Sequence, residues 1–358
     1  MSTETIHKHI CDLLIKNPTS EITKWNRVIG DAAKAQSDDE SEGQIIHTRR
    51  GITFFAKIGN AGKDANKLLL SVRRQGVEVG TVNLDAQTRR RILRLGNSEE
   101  LTKLLAAFPQ AKEADAQEWT APPVTALFNF LATLPVNLLS KELAIEEFIV
   151  NAIRKKEFCF GKTALVTVRR LAKELPFKLI LPIRLDQNIK PTSTFNSIIH
   201  PATGHGAADI VTRAEWPICG QIKRRIAVLE LKKPAGAAEL ALLQSYAYCC
   251  SLLTILDNNW AGLENVHKDT RALLRYSPNQ SMFVAVAVVP DEDVDKVKNS
   301  RFTKTVLSEP LVQSGRVALR ILGFSEAKPR SSVLVFTRAS EWVNGTDNAW
   351  TKIDLAGP

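Results

Sequence analysis

The chain has 358 residues, 44% of them hydrophobic and 24% charged, with 48 Lys and Arg against 38 Asp and Glu. These are ordinary globular values, which exclude a disordered chain or a collagen-like fibre, and the length predicts two domains. The formal net charge is +10, and +7 of it falls in residues 126–250. Such an excess favours a polyanionic partner such as nucleic acid, bound through phosphate neutralisation. Aromatic residues make up only 6%, which argues against recognition by rows of base-stacking rings.

The first 21 residues lack a basic stretch, an apolar core and a small-residue cleavage site, so no secretory signal is expected. The apolar run Ala126–Leu139 is broken by Asn129, Pro135 and Asn137 and is shorter than the roughly 20 residues of a membrane span. Cys11, Cys159, Cys219, Cys249 and Cys250 form no CxxC pair and read as free thiols. An intracellular, cytoplasmic protein without a membrane partner is the expectation; a homo-oligomer is compatible with it.

Along the chain, Ile6, Ile10, Leu13 and Leu14 fall at helical spacing, and Trp25, Val28 and Ile29 follow. Residues 36–43 (QSDDESEG) are acidic, polar and loop-like. Strands are predicted at 51–58, 67–73 and 77–84, the last two joined through Gln75-Gly76 as a hairpin. Residues 86–108 are expected to be helical, with an interruption at Gly96-Asn97. These elements predict a small α+β N-terminal domain over residues 1–110, with a regulatory or recognition role. Residues 111–125, which contain the paired prolines Pro122 and Pro123, are the expected linker.

The second domain, 126–358, opens on a predicted helix over 138–158. Strands are expected at 177–185, 193–200, 208–213 and 225–231, then a long helix at 237–256. Further strands follow at 282–289, 317–322 and 333–337. Interleaved strands and helices predict an α/β fold, a mixed β-sheet flanked by helices.

The chemistry concentrates in GHGAADIVTR, RRIAVLELKKP and ALLQSYAYCC. Asp209 interrupts a small, apolar strand. Glu230 and Lys232 end another, on the opposite face to Leu229 and Leu231, which point into the core. If the two strands pair, Asp209 joins Glu230, and two carboxylates at one place suit Mg²⁺ or Mn²⁺. A lysine beside them can position water or hold charge on a phosphate.

This pattern resembles the PD-(D/E)XK nuclease superfamily: an Asp, a later (D/E)-x-K on the neighbouring strand, and often Gln-x₃-Tyr on the following helix. The matching residues are Asp209, Glu230-Leu231-Lys232, and Gln244 with Tyr248. Ala208 stands where the superfamily often has Pro, at a tolerant position. The resemblance covers residues 138–256 and implies a restriction-endonuclease-like core. It also implies a metal held by Asp209, Glu230 and the Leu231 carbonyl, with Lys232 beside the attacking water and Gln244 facing the site. The superfamily commonly adds a Glu from the helix before the sheet. Ile145, Phe148, Ile149, Ala152 and Ile153 mark the apolar stripe of that helix. Glu146, then Glu142, border the stripe, whereas Glu147 points largely away. In outline the chain also looks like the Shedu-type antiviral defence nucleases.

A Glu-x-Lys tripeptide alone means little, since about one is expected by chance in a chain this long. Glu326-Ala327-Lys328 is such a match, in a polar turn before Pro329. Context separates the two: an apolar strand before Glu230, an upstream Asp, and a downstream Gln and Tyr one turn apart. The implied function is a metal-dependent endonuclease acting on phosphodiester bonds, expected in DNA, with antiviral defence or mobile elements as its setting. The alternative is a catalytically silent nucleic-acid-binding or scaffolding protein on the same fold.

Other motifs carry less. Gly59 to Asp64 has the wrong spacing for a phosphate loop and reads as a hairpin turn. His205 reads as a loop residue, and His7 and His9 lack zinc spacing. Cys249 and Cys250 read as core. Arg89, Arg90, Arg91 and Arg94 read as a solvated helix face or as phosphate contacts.

Overall fold

A computed structural model describes residues 4–16, 52–58, 67–74, 76–85, 90–134, 145–147, 149–150, 159–160, 166–169, 177–186, 190, 192–218, 221–233, 236–257, 276–277, 282–326 and 334–342. The strands are β1 (Thr53–Ile58), β2 (Lys67–Arg74), β3 (Val77–Asp85), β4 (Arg91–Leu95), β5 (Cys159–Phe160), β6 (Val166–Arg169), β7 (Phe177–Leu185), β8 (Ile199–Ile218), β9 (Gln221–Leu231), β10 (Met282–Pro290), β11 (Val317–Glu326) and β12 (Leu334–Trp342). They form one mixed sheet in the order β12-β11-β10-β9-β8-β7-β1-β2-β3-β4, with β6 on β8 and β5 on β6. The fold is α/β, with helices flanking the sheet.

The predicted hairpin is present. β2 and β3 pair antiparallel, and Gly76 turns between them at φ +73°, a conformation glycine enters without a Cβ penalty. β1 pairs with β2 on one side and runs parallel to β7 on the other, so the N-terminal strands and the later strands share hydrogen bonds.

The helix expected over 86–108 is two elements. Residues 91–95 are β4, paired from Leu84↔Arg91 to Gly80↔Leu95, and the helix α2 (Glu99–Leu105) follows. Pairing with β3 outweighs the local helical preference of this Arg- and Leu-rich stretch. Gly80 permits the close approach: a Cβ there would lie 2.2 Å from the Arg94 carbonyl oxygen. Ser98 caps α2 by accepting from Leu101 N at 3.1 Å.

Residues 111–125 are folded onto the sheet edge. Ala111 and Ala114 are buried in a 3₁₀ turn, Leu93 N donates to Gln117 O, and Trp119 N donates to Arg91 O. Pro122 then opens α3 (Pro122–Thr133), where its missing N–H is no loss.

The core centres on α4 (Ala241–Asp257), every residue of which from Ala241 to Leu256 is buried. The helix is apolar all round because it is covered all round. By length and composition Ala238–Asp257 could cross a membrane, yet 94% of that window is buried inside the protein. Ser245 fastens α4 to the sheet, donating to Val228 O of β9 and accepting from Val286 N of β10. On its far side α4 meets α1 (Ile6–Lys16), where Cys11 Sγ lies 3.2 Å from Thr254 Oγ1. Ile6 N and His7 N donate to the carboxylate of Glu309, which also accepts from the Tyr246 hydroxyl. Glu309 precedes α7 (Pro310–Gln313), the last of three short helices between β10 and β11; the others are α5 (Val294–Asn299) and α6 (Arg301–Leu307).

Candidate functional site

β8 and β9 pair antiparallel, with Ile210 opposite Leu229, which sets Asp209 beside the Glu230-Leu231-Lys232 strand end. Asp209 Oδ2 accepts from Leu231 N at 2.9 Å. On its other side β8 meets β7, where Phe177 pairs with Val211 and Leu179 with Ala208. Lys178 therefore faces two residues, Asp209 and Ile210. This is a β-bulge, a device that re-aims a side chain. Lys178 Nζ donates to Asp209 Oδ1 at 3.0 Å and lies 3.9 Å from Glu146 Oε1.

Residues 145–147 and 149–150 are helical, with Ile145 and Ile149 buried as the apolar stripe requires and Val150, off that stripe, buried as well. Glu146 is buried and paired with Arg73 of β2, N to O 2.6 Å. The Arg73 guanidinium sits over the Phe55 ring at 4.8 Å, and its Nε donates to Ser71 Oγ. Glu147, expected to point away, is also buried: its Oε2 accepts from Gly76 N at 2.8 Å. The hairpin β2–β3 covers the face that a free helix would turn to water. Glu142 lies outside the described residues.

Glu230 and Lys232 share a face as expected, but that face is interior. They are 4% and 5% exposed, and Lys232 Nζ donates to Glu230 Oε1 at 2.8 Å. Burial first, then the charge of Asp209, pushes the Glu230 carboxyl up to about 8, against the opposing pull of Lys232. Burial alone would lower the Lys178 pKa, but Glu146 and Asp209 outweigh it and hold the ammonium charged above the usual lysine range. Tyr248 is buried one turn beyond Gln244. Its hydroxyl, hydrogen-bonded with the Ala207 backbone, is pushed well up by burial and by Glu230 and Asp209. Ala207 lies two residues before Asp209 on the same strand. Gln244 is buried on the same helix.

Among the described residues, the buried oxygens without a hydrogen-bond partner include three from the candidate site residues: Glu230 Oε2, Glu146 Oε1 and Gln244 Oε1. Such orphans are costly unless something fills the need. Hard oxygen donors without thiol or imidazole suit Mg²⁺ or Mn²⁺ in chemistry. Yet among the described residues no group of three or more His, Cys, Asp or Glu stands arranged to hold a metal ion, and both Asp209 oxygens already meet protein donors. The acidic set fits a divalent cation in kind, with Lys178 in its midst.

Sequence reading missed Lys178 and Arg73. Lys178 stands between Phe177 and Leu179, a cation against an apolar background that could have been noticed, whereas Arg73 follows Val72 beside a second arginine, Arg74, and carries no such signal. Arg91 and Arg94 lie on a strand rather than a helix, half-buried and exposed respectively. Cys249 and Cys250 are buried free thiols pushed well above the usual range by burial, which suits packing rather than nucleophilic chemistry. Residues 59–64 and the side chain of His205 lie outside the described set. No protein-family model, curated protein or solved structure matches this chain.

Proposed function

We propose that the chain is a metal-dependent endonuclease of PD-(D/E)XK type, hydrolysing phosphodiester bonds of DNA on a restriction-endonuclease-like core. The observation that carries this reading is the meeting of Asp209 with Glu230-Leu231-Lys232 on adjacent strands, beside buried carboxylate oxygens of Glu230 and Glu146 that have no hydrogen-bond partner. Asp209, Glu230 and the Leu231 carbonyl would hold Mg²⁺ or Mn²⁺. A divalent cation, when bound, neutralises the phosphodiester and makes water a better nucleophile.

The protein's own groups do the rest. Lys232 keeps positive charge beside the position of the attacking water, and Glu230 fixes that ammonium at 2.8 Å. The Leu231 amide aims the Asp209 carboxylate. Gln244 offers an amide oxygen from the helix, and Tyr248 walls the site. The basic excess of residues 126–250 supports a polyanionic substrate. Antiviral defence or mobile-element biology is the setting we propose.

The second reading is a catalytically silent nucleic-acid binder. It draws on the engagement of both Asp209 oxygens by protein donors. One experiment separates the two. Supercoiled plasmid and single-stranded DNA are incubated with the protein and Mg²⁺, Mn²⁺ or EDTA, beside a Lys232→Ala variant. The endonuclease reading expects cleavage that needs the metal and falls by about 100-fold or more in the variant. Cleavage that survives in Lys232→Ala removes this assignment. Absence of cleavage with binding that weakens steeply as salt rises selects the silent binder.

A further inference from the structure

We infer that Lys178 is an internal cation that occupies the acidic site in place of a divalent ion and so sets the site's affinity for that ion. This rests on the metal-site reading above and names how the site is regulated. Three carboxylates, Glu146, Asp209 and Glu230, stand with three cations, Arg73, Lys178 and Lys232. The cations are as many as the carboxylates, so the cluster has no net demand for added positive charge. A divalent ion gains most by displacing a cation that can leave.

The three cations differ in that respect. Arg73 is sealed, its side chain 1% exposed and stacked over Phe55. The Lys232 side chain is 6% exposed and tied to Glu230. The Lys178 side chain is 25% exposed, the most open of the three. Its ammonium is 3.0 Å from Asp209 Oδ1, an oxygen the metal site requires, and 3.9 Å from Glu146 Oε1, which has no hydrogen-bond partner. The two-for-one register of β8 against β7 brings lysine and carboxylate abreast, so the contact is built into the sheet. A long, flexible and partly exposed side chain can release a carboxylate pair without unfolding the strand that carries it.

The test is Mn²⁺ affinity of the intact chain by calorimetry, with folding of each variant checked by circular dichroism. Lys178→Gln removes the charge and is expected to bind Mn²⁺ at least about tenfold more tightly than the unaltered protein, given the strength of ionic competition at a half-buried site. Lys178→Arg keeps the charge and is expected to bind no more tightly. Adding Asp209→Asn to Lys178→Gln is expected to abolish the gain. Lys178→Met takes the place of Lys178→Gln if the latter does not fold. Equal or weaker binding by the neutral variant overturns the inference while leaving the metal site standing, as does a gain that survives Asp209→Asn. No Mn²⁺ binding by any of the proteins overturns both the inference and the metal-dependent reading.

Discussion

At Glu230, burial and the charge of Asp209 together outweigh the Lys232 ammonium, so the carboxyl keeps its proton up to about 8. The folded state then binds this proton more tightly than the unfolded chain does. Its contribution to stability is complete below the unfolded pKa of about 4.3 and is lost as pH rises through the folded value. Without added metal, the melting temperature is expected to fall between about pH 5 and pH 8 and to level off above it, and Glu230→Gln is expected to flatten that fall. An unchanged slope in the variant would mean that Glu230 is not the group responsible. The same residue shows what the sequence could and could not convey. Asp209, Glu230, Lys232 and Gln244 stood out because each is polar against an apolar background. That their surroundings are interior was hidden, since strand alternation gives a side chain's face but not what covers it. Glu147 was misjudged for that reason: its helix is covered on the side of the β2–β3 hairpin by contacts 71 residues away in sequence.

Two elements, β7 and β8, bring Lys178 against Asp209, and their fit depends on a glycine. Gly206 lies opposite Leu181, close to a register irregularity, and a Cβ there would come within 1.5 Å of the Ile183 carbonyl oxygen. Backbone cannot yield as a flexible side chain can. Gly206→Ala is therefore expected to destabilise the protein by about 2 kcal/mol or more, read by denaturant unfolding. A cost near zero would place β7 and β8 further apart at this point than they are here. Long apolar strands and α4 were legible because their hydrophobic runs persist over whole elements; β7, β10 and α4 fall within a residue or a few of their expected spans. β4, β6 and the helices α5 to α7 were not. They are short, and β4 exists through its pairing with β3 rather than through its own propensity. The bulge at Asp209–Ile210 was also invisible, because it is a mismatch between two strands and neither sequence alone contains it.

On the scale of the molecule, the sheet continues from β12 to β4 through the parallel pairing of β1 with β7. A chain cut to residues 126–358 would lose β1 and leave the β7 edge unpaired, and it would strip Glu146 of Arg73. Open edges recruit other strands, and a buried charge left without its partner costs about 3–5 kcal/mol. The shortened chain is expected to self-associate with rising concentration and to melt well below the full one, by light scattering and calorimetry. A monomeric, equally stable fragment would show that residues 126–358 fold independently. One contact bears on how the chain comes to be made. The first turn of α1 finds its acceptor in Glu309, 303 residues further on. A ribosome at work on this protein has therefore released α1 long before Glu309 exists. The opening helix must wait, its amides hydrated and its apolar face uncovered, until the later part of the chain emerges to hold it. Synthesis runs from one end to the other, but α1 is held by a carboxylate made 303 residues after it.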